Sequence, residues 1–470
     1  MSDAGKDTQA RIHELLRAGR HADAERLLTE ICARPTVAAE SWFLLGALAG
    51  MRGDATMAER RFRDALALEP EFTQARFNLG IALRDQGRTE EAVKELRGVV
   101  TQKPHHFEAH SALGYLYIRL EQPGEAERCF RAALAHNPKH VDALINLANI
   151  LSSRRQWHEA EILYRRALAI VPGNADAAIN LGSVLVIREK FKDALSTFEQ
   201  IQSVAPSNSD AYAKLGIQIA IAFKRLSDLE TAKRVLRAVL RLFPQHEEAQ
   251  FEMATLGGAA SPERAPSEYV AKVFDDYADI FDEHLGRLQY KAPEALYRAL
   301  EANFKQDREL YTIDLGCGTG LCGPLFRRVS HTLVGVDLSS KMIEKARARA
   351  IYDELYVDDL VPALLRYVDI LDLALAADVF VYMGDLQSVF DATSRALHAG
   401  GLFAFTIESA QQNEGDTYTL RSSGRYAHAN GYILQLAHRF GLDSVLYQEI
   451  HTRLENNTPV AGAIFILKKA

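Results

Sequence analysis

One period governs the first half of this chain: prolines stand at Pro70, Pro104, Pro138, Pro172 and Pro206, each 34 residues after the last. The same step links Leu45, Leu79, Leu113, Leu147, Leu181 and Leu215, each followed by a small residue, Gly46, Gly80, Gly114, Ala148, Gly182 or Gly216. A second small position, Ala58, Ala92, Ala126, Ala160 and Ala194, precedes a bulky one four residues on: Phe62, Leu96, Phe130, Tyr164 and Phe198. Strict repetition at this spacing confines the fold to a stack of like units, each burying its apolar face on the next. Each unit reads as two antiparallel helices, with small residues at their closest approach and bulky ones filling the space between units. Proline ends the second helix. The last step is irregular, because Pro244 follows Pro206 by 38 residues. The four extra residues fall in 225–231 and predict a longer turn inside that helix pair; 246–256 reads as a terminal capping helix.

This pattern resembles the tetratricopeptide repeat over a core of 39–244, with a degenerate copy around Ala24, Leu28 and Pro35, giving about seven units in 1–256. Stacked pairs of this kind curve into a superhelix whose concave groove suits peptides. Asn78, Asn146 and Asn180 occupy matching positions, one residue before the repeated leucine. Amide side chains both donate to and accept from a peptide backbone. The row is similar to the asparagine ladder of sugar-transferring enzymes with such arrays, although Ala112 interrupts it. The resemblance implies a protein or peptide partner in the groove.

At 470 residues the chain exceeds one ordinary core, and 48% hydrophobic with 25% charged residues excludes wholesale disorder. No apolar run is long enough for a bilayer, so no membrane partner is expected. The first 20 residues lack a secretory segment. Cys32, Cys129, Cys317 and Cys322 show no metal-ligand spacing and no disulfide framework, which predicts a reducing, cytoplasmic location and no bound metal. Residues 1–260 hold 34 Lys and Arg against 33 Asp and Glu, leaving 21 against 29 in 261–470. An acidic second half without a basic stripe repels phosphate backbones, so nucleic acid is not an expected partner.

GGAASPERAP at 257–266 reads as a linker, placing a linker at 257–267 and a second domain at 268–470. Strands and helices alternate there, as in a parallel sheet covered on both faces. The strand YTIDL at 311–315 runs straight into GCGTG at 316–320, whose alternate glycines let backbone pass close to a ligand. The next strand, 331–336, ends in Asp337, 21 residues after Gly316, where a nucleotide-binding sheet places an acid for ribose hydroxyls. A nicotinamide-binding domain shares that acid. The C-terminus discriminates: strands 444–453 and 460–468 flank the turn ENNTP at 455–459. A closing hairpin that inserts one antiparallel strand resembles class I S-adenosylmethionine-dependent methyltransferases, and IDLGCGTG at 313–320 is nearly their first motif. The fold expected is therefore two-domain: an all-α superhelix followed by an α/β Rossmann-like domain with a mixed seven-stranded sheet.

The resemblance implies S-adenosyl-L-methionine as cofactor, with Asp314, Gly316, Cys317, Gly318 and Gly320 bordering its methionine part. It puts Asp337 on the ribose, Leu338 against adenine, and Asp359 (Asp358 the near alternative) on the adenine amino group. The stretch from Ala377 to Gly384 would lie over the transferring methyl, and Tyr277 with Phe274 and Phe281 would form a lid. His428, Glu408 and Asp378 are the candidate general bases; Arg425 and Arg453 would fork a substrate carboxylate, with Tyr426 beside them. More narrowly, the chain resembles the bacterial methyltransferases that carry tetratricopeptide repeats, through FDDYADIFD at 274–282, AADVFVYMGDL at 376–386 and GRYAH at 424–428. The DPPY-like tetrad of amide and nucleobase methyltransferases is absent; Ala377-Asp-Val-Phe380 stands there. Three functions stay open: a methyltransferase for a peptide or protein docked partly on the groove; a small-metabolite O- or carboxyl-methyltransferase whose array serves homodimerisation or partner docking; and an inactive scaffold. The intact glycines, Asp337 and Asp359 count against the last.

Overall fold

A computed structural model describes residues 3–34, 37–202, 209–304, 309–411, 414–455 and 458–470. Pro35, Pro206 and the Asn456-Asn457 turn lie outside them. Two compact units emerge, Met1–Ile219 and Ala220–Ala470.

The first unit is built of antiparallel helix pairs, among them Thr73–Asp85 with Thr89–Gln102, Phe107–Arg119 with Pro123–His136, and Val141–Ser153 with Trp157–Ile170. The side chains of His106, His140 and Asn174 cap successive first helices by accepting from the backbone N–H three residues on. The repeated glycines are a steric requirement. A Cβ at Gly114 would sit 2.7 Å from the Phe130 ring, and one at Gly80 2.7 Å from Leu96 Cγ. Phe130 is fully buried and has nowhere to retreat. Gly114→Ala should therefore lower stability by about 1–3 kcal/mol, the usual cost of overpacking. Gly124→Ala, with open space around it, serves as the control in a urea titration.

Two expectations about the array are revised. The four extra residues near 225–231 do not lengthen a turn. They lengthen the first helix, Ser209–Arg225, to 17 residues where its counterparts have 13, and three residues still separate it from Leu229–Leu242. Four residues are close to one helical turn, so the insertion adds a turn and preserves the packing face. The asparagine row is also partly engaged: Asn146 Nδ2 donates to Asp142 O at 2.9 Å, and Asn180 Nδ2 to Asn149 Oδ1 at 3.0 Å.

The second unit begins inside the last repeat and includes Leu229–Leu242 and Glu247–Thr255. The end of the segment read as a linker is a docked strap. Glu263 O accepts from the N–H of Gly384 at 2.7 Å and Asp385 at 2.9 Å, and Ala265 N–H donates to Tyr382 O at 3.0 Å. Ala265 joins Phe251 and Tyr426 in one apolar cluster. A backbone so paired at 263–265 resists cleavage.

The helices Ser267–Tyr277, Phe281–Arg287 and Ala292–Leu300 precede a seven-stranded sheet. Its strands are β1 (Leu310–Leu315), β2 (Ser330–Asp337), β3 (Glu354–Val357), β4 (Leu371–Ala376), β5 (Leu397–Glu408), and, after a small separate hairpin of β6 (Tyr418–Leu420) and β7 (Tyr426–His428), β8 (Leu442–Glu455) and β9 (Thr458–Lys469). The order is β3-β2-β1-β4-β5-β9-β8. The first five run parallel, and β9 inserts antiparallel between β5 and β8. Apolar clusters cover both faces, one centred on Phe380, Phe390, Phe403 and Phe405, the other on Leu296, Leu300, Phe326 and Ile464. The order reverses between β1 and β4, and in such sheets ligands bind there, beyond the carboxyl ends of the strands.

Candidate cofactor and acceptor site

At that switch point lies a cavity of about 410 Å³, within the range of small-molecule sites. Its floor is the start of the loop after β1, where Gly316 and Gly318 take φ of 67° and 55°, the left-handed region open to glycine. A Cβ at Gly316 would also stand 2.6 Å from Val379. Asp337, at the end of β2, locks this floor: its Oδ2 accepts from Gly318 N–H and its Oδ1 from Ser339 N–H, both at 2.9 Å. Burial nonetheless pushes its pKa up, against the pull of those backbone donors.

The wing below β1–β3 carries most of the residues foreseen for the cofactor. Gly316, Cys317, Gly318, Asp337, Leu338, Asp359 and Ala377 line the cavity. Three placements differ from the sequence reading. Gly320 lies past the cavity floor, packed against Tyr352 and Arg349. Asp314 sits beneath the loop, 1% exposed, accepting from the Tyr352 hydroxyl at 2.6 Å. Burial lifts its pKa to about 7. Asp358 turns outward to pair with Arg366 and accepts from Asp359 N–H at 2.8 Å. Asp359 is the acid at the cavity. Its Oδ2 accepts from Arg264 at 2.6 Å, while its buried Oδ1 has no hydrogen-bond partner. A buried acceptor without a partner is costly unless a ligand donates to it.

The roof is aromatic. Phe274 and Tyr277 on the first pre-sheet helix and Phe281 on the second all line the cavity. Phe281 meets both others edge-on, at 6.0 and 5.9 Å between centroids. Polar ties hold this roof down: Asp275 accepts from Ser339 Oγ at 2.5 Å, and Asp282 from Thr319 Oγ1 at 2.5 Å.

The other wing lies beyond β4 and β5. Asp378, itself at a left-handed φ of 60°, and Glu408 both pair with Arg453. Arg453 is 3% exposed and reaches inward because β8 bulges between His451 and Leu454, burying Thr452 and Arg453 in succession. Burial lifts Glu408 to about 7 against the pull of Arg425 and Arg421, and raises Asp378 as well. Arg453 thus has its fork filled by two carboxylates and is not open to a substrate. Arg425 lines the cavity with its Nη1 buried and without a hydrogen bond.

His428 and Tyr426 are not on the cavity wall. His428 is fully buried behind it, with Nε2 3.1 Å from Gly384 O; burial depresses its pKa to about 4, so the ring is neutral and Nε2–H donates. Tyr426 donates its hydroxyl to Pro262 O at 2.8 Å. Both pin β7 to the strap and to the loop after β4. Arg264, His284 and Tyr290 line the cavity and were not foreseen, whereas Tyr382, also on the wall, belongs to the stretch from Ala377 to Gly384 expected there. Arg264 lies in what read as linker.

Residues 313–405 match the model of a methyltransferase domain, and 52–106 and 111–175 match that of the tetratricopeptide repeat. A malonyl-[acyl-carrier protein] O-methyltransferase of Salmonella typhimurium is 25% identical over 35% of this chain and 63% of its own length. A ubiquinone biosynthesis O-methyltransferase of Brucella anthropi is 34% identical over 21% of this chain and 41% of its own. The chain thus spans less than two thirds of either relative. A crystal structure of an S-adenosylmethionine-dependent methyltransferase from Mesorhizobium loti covers 37% of this chain and 96% of its own, at 22% identity and a TM-score of 0.30. Among the described residues, no helix is long and apolar enough to cross a membrane. The chain joins tetratricopeptide repeats to a methyltransferase domain of the kind whose methyl donor is S-adenosylmethionine.

Proposed function

We propose that this protein transfers the methyl group of S-adenosylmethionine to an acceptor carried or delivered by a protein that the repeats dock. The carrying observation is the convergence, on one cavity, of the left-handed glycine loop, Asp337 and the unpartnered Oδ1 of Asp359. The group fits these residues. Gly316 and Gly318 leave room for close approach, Asp337 retains lone pairs for ribose hydroxyls, and Asp359 Oδ1 would take the adenine amino group. Leu338 would pack on the adenine, and Tyr277 and Phe281 would exclude water. When bound, the cofactor supplies a methyl carbon on cationic sulfur; the protein's part is to orient a nucleophile in line with it.

Asp337→Asn should weaken S-adenosylmethionine binding by about 1–3 kcal/mol, since one of its two acceptor oxygens becomes a donor facing a backbone N–H. Isothermal calorimetry reads this directly; no binding by the wild type, or unchanged affinity in the variant, refutes the reading.

The docked-protein part extends what tetratricopeptide repeats generally do, and Asn78, Asn146 and Asn180 are its candidate backbone contacts. One observation favours the second reading, a small acceptor with the array used only for docking or dimerisation: two of these three amides already donate within the array. Labelled methyl acceptors in a lysate, sorted by size, separate the two.

A further inference from the structure

We propose that the acceptor is a carboxylate, seated on Arg425 and methylated on oxygen to a methyl ester; this deepens, and rests on, the methyltransferase reading above.

Three cavity-lining cations must be distinguished. Arg264 donates to Asp359 at 2.6 Å, in the cofactor wing. Arg453 is consumed by Asp378 and Glu408. Arg425 differs: its Nη1 has lost water and makes no hydrogen bond, and Glu408 Oε1, the nearest carboxylate oxygen paired with it, stands 3.7 Å away. A dehydrated guanidinium N–H without an acceptor costs free energy that an incoming anion recovers, and a planar fork suits a carboxylate. The position fits an acceptor. Arg425 shares the cavity wall with Asp378, which follows β4, and stands 3.7 Å from Glu408, which ends β5.

The local fold aims this side chain. Arg425 closes the β6–β7 turn, where Gly424 takes φ 80° and Arg421 N–H donates to Arg425 O at 2.9 Å. Tyr426 and His428, the next alternate residues, anchor on Pro262 O and Gly384 O. They are positioning residues for Arg425, which accounts for GRYAH as a unit.

The chemistry agrees. A carboxylate oxygen attacks the methyl carbon with its own lone pair. The carbon–sulfur bond breaks with its electrons passing to sulfur, so the sulfonium becomes a neutral thioether and the carboxylate a neutral ester. No proton is released and no general base is needed. The bases foreseen in the sequence are indeed unsuited: His428 is sealed behind the wall, and Asp378 and Glu408 are bound to Arg453. His284 on the roof is the base that a hydroxyl acceptor would use.

The test uses the full chain saturated with S-adenosylhomocysteine and titrated with succinate, glutarate and adipate, and with their neutral diamides. Expected is binding of at least one diacid, no binding of its diamide, and about 10- to 100-fold weaker diacid binding in Arg425→Gln, partly restored in Arg425→Lys. S-adenosylhomocysteine affinity should be unchanged in Arg425→Gln. With tritiated donor, the label on the bound diacid should be released as methanol by mild alkali. Failure of every diacid to bind, equal binding by Arg425→Gln or by the diamides, or alkali-stable label would overturn the proposal. Failure of the wild type to bind S-adenosylhomocysteine would instead overturn the methyltransferase reading.

Discussion

Arg453→Met should lower the stability of the second unit by about 3–5 kcal/mol, the cost of leaving buried carboxylates without their counter-ion. Asp378 and Glu408 are both bound by the one guanidinium, and Glu408 is as buried as Arg453. Removing the cation leaves Asp378 without its hydrogen-bonded cation in a low-dielectric pocket, while Glu408 keeps Arg421 at 3.1 Å and Arg425 at 3.7 Å. Replacing all three ionic groups together, as Arg453→Met with Asp378→Asn and Glu408→Gln, should recover part of the loss, because the carboxylates are neutralised and Arg421 keeps Glu414, although Arg425 loses Glu408. The repeats and the sheet need not unfold in one transition, so hydrogen exchange at β4 and β5 amides is the proper readout. A loss below about 1 kcal/mol in the single variant, or no recovery in the triple one, would mean that the cluster is solvated and does not act as a buried ionic unit.

The architecture was legible because it rests on periodic signals. A repeat of 34 residues states its own fold, and the glycines behind Leu79 and Leu113 proved to be where Leu96 and Phe130 press against the neighbouring helix. The strands near 311–315, 331–336 and 460–468 appear within a few residues of their expected ends, since a buried parallel strand is a short apolar run bounded by turn residues. What failed was local chain length. Four added residues could enlarge a turn or extend a helix, and only packing of the added turn decides for the helix. GGAASPERAP has the composition of a tether, yet Glu263 O and Ala265 N–H find partners in the loop after β4, which no property of the segment itself announces.

The candidate site divides in the same way. Backbone-determined elements, the glycine loop and the acid ending β2, fell where the motif put them, because φ and strand termini follow from sequence locally. Side-chain direction did not. Asp358 and Asp359 are neighbours with opposite fates, one taken outward by Arg366 and the other turned to the cavity by Arg264, 95 residues earlier in the chain. Arg453 and Arg425 read alike in sequence. A bulge in β8 commits the first to two carboxylates, whereas a hairpin turn leaves the second without a hydrogen-bonded one.

The pH dependence of the second unit should carry the signature of Asp314. In the unfolded chain this carboxyl ionises near its ordinary 3.8; in the fold burial lifts it to about 7, with the Tyr352 hydroxyl pulling the other way and Asp337 adding to the rise. Between those values the folded protein binds more protons than the unfolded one, so stability falls as pH rises. The protonated acid's contribution is fully present below about pH 4 and gone above about pH 7, a change of about 4 kcal/mol at 1.36 kcal/mol per pKa unit. Asp314→Asn keeps the acceptor for Tyr352 and cannot ionise. Its stability relative to wild type should therefore increase by about 1.4 kcal/mol for each pH unit between about 4 and 7, and then level off. The other raised acids, Asp337, Asp378 and Glu408, contribute equally to both proteins and cancel in this difference, and the repulsion of Asp337 is already part of the rise of Asp314 to about 7. Hydrogen exchange of β1 amides across this range measures the gap. A gap independent of pH would show that Asp314 is already ionised in the fold, its charge met by the Tyr352 hydroxyl, and the glycine loop would then rest on an anion instead of a neutral acid.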